Sequence, residues 1–180
     1  MGARQAVARN FYTPVEVLRE LVGDKEEKIQ LAICMHDASR NAKNLATPGE
    51  VLDLLVNHGW GEVTKSIAKH PNALEESLIK LIPRCKNYIK RRINLTSNIL
   101  EAFAEQDNKE FNQLLINNPN TPTSALEKLI IFSNDSYSWA KLAEHPNAPV
   151  SILEQLAKHH YPWIRIDVYK NPNTPFSTEH

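Results

Sequence analysis

Glycine and cysteine are scarce in this chain. Its 180 residues include five Gly and two Cys, and its aromatics are five Phe, five Tyr and three Trp. So few turn formers and strand formers argue against a sandwich or barrel. Two cysteines, Cys34 and Cys85, make no disulfide framework. No apolar run approaches the roughly 20 residues that a membrane span needs. The opening stretch Met1-Gly2-Ala3-Arg4-Gln5 lacks the pattern of a secretory signal. A cytoplasmic setting without membrane contact is therefore the simplest expectation. Excess charge is missing too: the formal net is zero, so no whole-molecule attraction to nucleic acid is expected. What remains, 42% hydrophobic and 23% charged residues, is the composition of a folded chain rather than a disordered one.

The chain does have a repeated phrase. Asn171-Pro172-Asn173-Thr174-Pro175 matches Asn118-Pro119-Asn120-Thr121-Pro122, with variants at His145-Pro146-Asn147-Ala148-Pro149 and His70-Pro71-Asn72-Ala73-Leu74. Weaker copies end at Pro14, Pro48 and Thr96. With the last residue of each phrase as origin, the origins fall at 14, 48, 74, 96, 122, 149 and 175, and the intervals are 34, 26, 22, 26, 27 and 26. The period marks a repeat architecture of about seven units.

Each origin is followed by the same apolar pattern. Four residues on stand Leu18, Leu52, Leu78, Leu100, Leu126 and Leu153; seven on stand Leu21, Leu55, Leu81, Phe103, Leu129 and Leu156. The third position adds Val17, Val51, Ile99, Ala125 and Ile152, with Ser77 the exception. Offsets of 3, 4 and 7 form one stripe on an α-helix, here helix A. Proline at the origin suits the first helical position, where its missing donor costs nothing. Thr13 with Glu16, and Thr47 with Glu50, read as capping boxes, whereas Ala73 and Ala148 predict weaker helix starts. A second helix, B, precedes each origin. Seven residues back stand Val7, Ile67, Ile89, Leu115, Leu142 and Val168, with Asn41 out of pattern, and Ala8, Ala42, Ala68 and Ala143 follow in the next slot. Asn or His after helix B tolerates a left-handed end, and the proline behind it stops the helix.

This pattern resembles the leucine-rich repeat variant family and, more loosely, the HEAT-like and armadillo-like α-solenoids, from Ala6 to Pro175. The resemblance implies an all-α superhelix in which helix B is short or partly 3₁₀, and it implies little about function. Residues 1–180 are expected to form one repeat domain, a stretch of a longer array. The cysteine-bound cluster of some family members is not carried over, because this chain has no cysteine cluster.

No catalytic, metal or cofactor site is expected. Cys34, His36, Asp37 and Ser39 hold the residue types of a nucleophilic centre, but no glycine-rich turn stands near to supply oxyanion donors. His70 and His145 read as turn residues three repeats apart, and His159-His160 as surface residues. The candidate partner-binding residues lie in one basic run, Lys80, Arg84, Lys86, Tyr88, Lys90, Arg91 and Arg92, with no acid between Glu76 and Glu101. A solvated face in an irregular repeat explains such a run equally well. Tyr137 and Trp163, each twelve residues before an origin, suggest either an aromatic surface or inter-repeat packing. The expected function is a non-catalytic scaffold that binds a protein or peptide on its concave surface. The alternatives are nucleic-acid binding through the basic run, or a regulatory or substrate-presenting segment of a larger enzyme.

Overall fold

The computed structural model describes residues 2–10, 12–34, 47–58, 61–106, 108–129 and 135–175. Twelve α-helices and no strand occur among these residues, so the fold is all-α. The chain divides into two compact units, Met1–Ile93 and Asn94–His180.

Unit 1 holds α1 (Ala3–Arg9), α2 (Val15–Val22), α3 (Glu27–Cys34), α4 (Gly49–His58), α5 (Gly61–Lys69) and α6 (Glu75–Ile89). Here α2 and α4 are A helices, and α1, α3 and α5 are B helices. They pack like on like: α2 against α4 and α4 against α6, with α1 against α3 and α3 against α5. Unit 2 holds α7 (Ser97–Ala104), α8 (Lys109–Asn117), α9 (Thr123–Leu129), α10 (Ser136–Glu144), α11 (Val150–Leu156) and α12 (Pro162–Lys170). Its B helices α8, α10 and α12 pack in sequence, and α7 packs on α9.

The leucine rows are the core. Leu18, Leu52 and Leu78 in unit 1, and Leu100, Leu126 and Leu153 in unit 2, are all buried. Each such side chain contributes about 1.5–3 kcal/mol when removed from water. From helix B come Ile67 and Ile89 in unit 1, and Leu115, Leu142 and Val168 in unit 2, all buried, whereas Val7 is 40% exposed.

Both irregular intervals have a structural cause. In the long one, Ile33 rather than Asn41 fills the helix-B core slot, with Cys34 beside it in the place of the expected alanine, and both are buried. Asn41 and Ala42 lie outside the described residues. In the short interval, helices A and B run together as α6, with Pro83 inside and a kink at Cys85 (φ −126°, ψ 18°). Proline removes a helical hydrogen bond and bends the helix, which replaces the missing link.

The expected helix starts need correction by one residue. Pro14 and Pro149 are N-caps with extended ψ, of 148° and 144°, not first helical residues. Their carbonyls receive the first helical bonds, from Leu18 and Leu153 at 3.1 Å. The threonines before the origins do not cap either. Their hydroxyls donate backwards to the end of helix B: Thr13 to Val7 (2.6 Å), Thr47 to Ile33 (2.5 Å), Thr121 to Leu115 (2.7 Å), and Thr174 to Val168. Thr96, which sits at the origin itself, does cap, accepting from Ile99 N–H at 3.4 Å.

The turn phrase forms a ladder. Its first residue receives the N–H two positions on: Asn171 Oδ1 from Asn173 (2.9 Å), His145 Nδ1 from Asn147 (3.1 Å), and His70 Nδ1 from Asn72 (3.2 Å). Its donors then reach the preceding turn. Asn171 Nδ2 donates to the carbonyls of Ala143 (2.6 Å) and His145 (2.9 Å), and Asn147 Nδ2 to those of Pro119 (3.1 Å) and Thr121 (3.0 Å). At the end of α10 the freed Ala143 carbonyl is thus satisfied by the next repeat, as buried backbone groups must be. Contact between successive turns is close. A Cβ at Gly49 would lie 2.6 Å from the Asn72 carbonyl oxygen, so glycine is needed there. In unit 2 the hydroxyl of Thr123, one residue after its origin like Gly49, donates to the equivalent carbonyl of Asn147 at 3.2 Å.

Candidate functional site

In the repeats with origins at 74, 96, 122, 149 and 175, helix B exposes one face, formed by the slots five, eight, nine and twelve residues before the origin. The basic run of unit 1 divides over three environments. Lys80 lies on the helix-A side of α6, 3.3 Å from Asp53 Oδ1 on α4. Ser77 donates to the same oxygen at 2.6 Å, and this bond, then Lys80, holds the Asp53 carboxyl below its usual range. Ser77, the apolar row's exception, is fully buried and so placed by its bond to Asp53.

Arg92 belongs to the turn ladder. Its guanidinium donates to the carbonyls of Ala68 (3.1 Å), His70 (3.0 Å) and Pro71 (3.5 Å). The first two are the slots that Asn171 serves in unit 2, and the third is the slot that Asn173 serves, so a long side chain does in the shortened repeat what short amides do elsewhere. Lys86 and Lys90 are half-buried along the same helix end.

Arg84, Tyr88 and Arg91 lie on the helix-B face. Arg84 and Arg91 are exposed and Tyr88 is half-buried. Lys69 of α5 joins them, with Nζ 4.5 Å from the centre of the Tyr88 ring. A cation over a tyrosine face is held by the ring quadrupole. Lys65, one turn earlier on α5, pairs with Glu62 at 2.6 Å, and this bond raises the lysine and lowers the carboxyl from their usual values. The face is therefore a cationic group drawn from two helices. Lys69 and Arg91 occupy the same slot in successive repeats, and counting back from each origin would have found Lys69.

The same slots in unit 2 carry a different chemistry. Tyr137 and Trp163 are 52% and 51% exposed, and Ile166 is 51% exposed. Tyr161 and Trp163 stack with ring centres 4.4 Å apart, and His160 lies 3.8 Å from Tyr161. His159 stacks on His160 at 4.4 Å while its Nδ1 receives the Tyr161 N–H at 3.2 Å. The aromatics thus lie at the surface. Over the whole sequence, residues 1–93 carry 15 Lys and Arg against 11 Asp and Glu (net +4), and residues 94–180 carry 6 against 10 (net −4).

Chemistry of the usual kinds finds little footing in the described residues. Burial pushes the Cys34 thiol up to about 12, so it is not a thiolate near neutral pH. His36, Asp37 and Ser39 lie outside the described residues. No group of three or more metal-ligating side chains occurs among the described residues. His70 and His145 are turn residues. Burial lowers both below the usual histidine value, with Arg92 adding to the effect at His70. His145 Nδ1 accepts from Asn147, so Nε2 carries the proton and donates to the Asn118 carbonyl at 2.9 Å. No described helix is long and apolar enough to cross a membrane. Compared with protein-family models, curated proteins and solved structures, the chain matches none of them.

Proposed function

We propose that this protein is a non-catalytic scaffold, an α-solenoid of the leucine-rich repeat variant kind, whose helix-B face receives a protein or peptide partner in the cytoplasm. The observation that carries this reading is a contrast between slots. The core slots hold apolar residues in repeat after repeat, as stacking requires. The exposed helix-B slots change from Glu62 and Arg84 to Glu110, Tyr137 and Trp163. Stacking does not call for that variety, whereas recognition draws on exposed aromatic and arginine side chains. The turn ladder supports the same reading, because within each unit it ties successive turns together through atoms that repeat with the phrase.

Site-specific photo-crosslinking tests the assignment. Crosslinkers at Arg84 and Trp163, on the helix-B side, are compared in cells with crosslinkers at Ile79 and Glu127, on helix A. Polypeptide partners should be captured from the first pair and not from the second. Capture from helix A alone, or equally from both sides, overturns the assignment.

A further inference from the structure

We propose that Lys69, Arg84 and Arg91, on the α5–α6 face that also carries Tyr88, form the docking site for an extended acidic segment of a partner polypeptide. This rests on the scaffold reading and names the chemistry of one of its faces.

Three features select the occupant. First, the cations are poorly compensated. Glu62 is engaged by Lys65, Asp53 lies with Lys80 on the helix-A side, and no ion pair to Lys69, Arg84 or Arg91 occurs among the described residues. Glu62 also feels the charge of Lys69, but the two arginines have no acid paired with them among the described residues, which leaves an attraction for carboxylates, and arginine can grip a carboxylate with two parallel hydrogen bonds. Second, the spacing suits a peptide. Arg84 lies on α6 just before the kink at Cys85 and Arg91 in the turn just past the helix end; they are seven residues apart in the chain, on the order of 10 Å if a helical rise is taken for the whole stretch. Carboxylates on every third residue of a chain in the extended polyproline II form recur on one side at about 9 Å.

Third, the face suits nucleic acid less well. The Tyr88 ring already has Lys69 over it, so that side is not open as a platform for a base. The group is also small. Affinity for a phosphate backbone grows with the number of phosphates neutralised. A handful of carboxylates needs no such track.

The test uses the full chain and three labelled probes at low salt: a peptide with Glu at every third position among Gly and Ser, its Gln counterpart, and a single-stranded oligonucleotide of equal charge. Fluorescence anisotropy should show binding of the Glu peptide and none of the Gln peptide. The combined variant Lys69→Glu, Arg84→Glu, Arg91→Glu should weaken Glu-peptide binding by roughly tenfold or more. Lys80→Glu, on the other side of α6, should leave it unchanged. If the triple variant loses its helical circular dichroism, the single variants Arg84→Gln and Arg91→Gln supply the same comparison. Equal binding of the Glu and Gln peptides, equal loss in Lys80→Glu, or tighter binding of the oligonucleotide overturns the proposal. A failed peptide titration alongside partner capture from Arg84 in the crosslinking experiment sinks this proposal and spares the scaffold reading.

Discussion

The α5–α6 face of unit 1 and the α10–α12 face of unit 2 are built on the same helix-B slots, yet one gathers cations and the other aromatic rings. Beneath them the interiors match: Leu78, Leu81 and Ile89 in the first, Leu142, Leu153 and Val168 in the second, all buried. Fold and surface are thus specified by separate sets of residues. Core and ladder residues fix how one repeat sits on the next, and the exposed slots are left to differ. Even Arg92, which reads from sequence as part of the cationic surface, falls into the ladder set.

The severest test of that separation is truncation in the core. Leu126→Ala in unit 2 and Leu78→Ala in unit 1 should each cost about 2–5 kcal/mol, measured by urea unfolding. A loss below about 1 kcal/mol at either site would mean that the two interiors are not equivalent. Next in size come the ladder donors. Asn171→Ala leaves the Ala143 and His145 carbonyls without this donor in a buried setting and should cost about 1–3 kcal/mol. Arg92→Ala should cost less, because its turn is half exposed and water reaches the freed carbonyls. The smallest effect is on pH dependence. His70 and His145 are held neutral by burial, so the unfolded chain takes up the proton first. Stability should therefore be unaffected above the usual histidine value of 6.5, fall as pH drops below it, and level off below the folded-state values. His145→Asn puts the side chain of the Asn171 slot into this turn and should remove the share of that fall due to His145 in thermal unfolding.

Much of the helical plan can be read from the residues. The leucine rows fall where their spacing predicts, because a 3.6-residue period translates directly into one buried stripe. Other features depend on directions that a sequence does not carry. Thr13 has the composition of a cap, but whether its hydroxyl accepts from the next helix or donates to the last one is decided by backbone geometry. The one-residue error at Pro14 has the same origin, since proline suits both the last extended position and the first helical one. Counting back from Pro48 lands on Asn41, which lies outside the described residues, whereas the carbonyl that receives the Thr47 hydroxyl is that of Ile33 on α3. The basic run was legible as a line of charges. Its division among Asp53, the ladder and the Tyr88 face needed the packing of α4, α5 and α6, and Lys69 lies outside the run altogether.

The ladder has a consequence for how such a chain can change. Each turn asks only that an equivalent turn, with the right amide or guanidinium, come next; it does not ask which one. Removing or duplicating a stretch that runs from one origin to the next leaves every rung with a mate, while the same number of residues cut from any other frame leaves two half-rungs facing each other. Length is negotiable in this design, and phase is not.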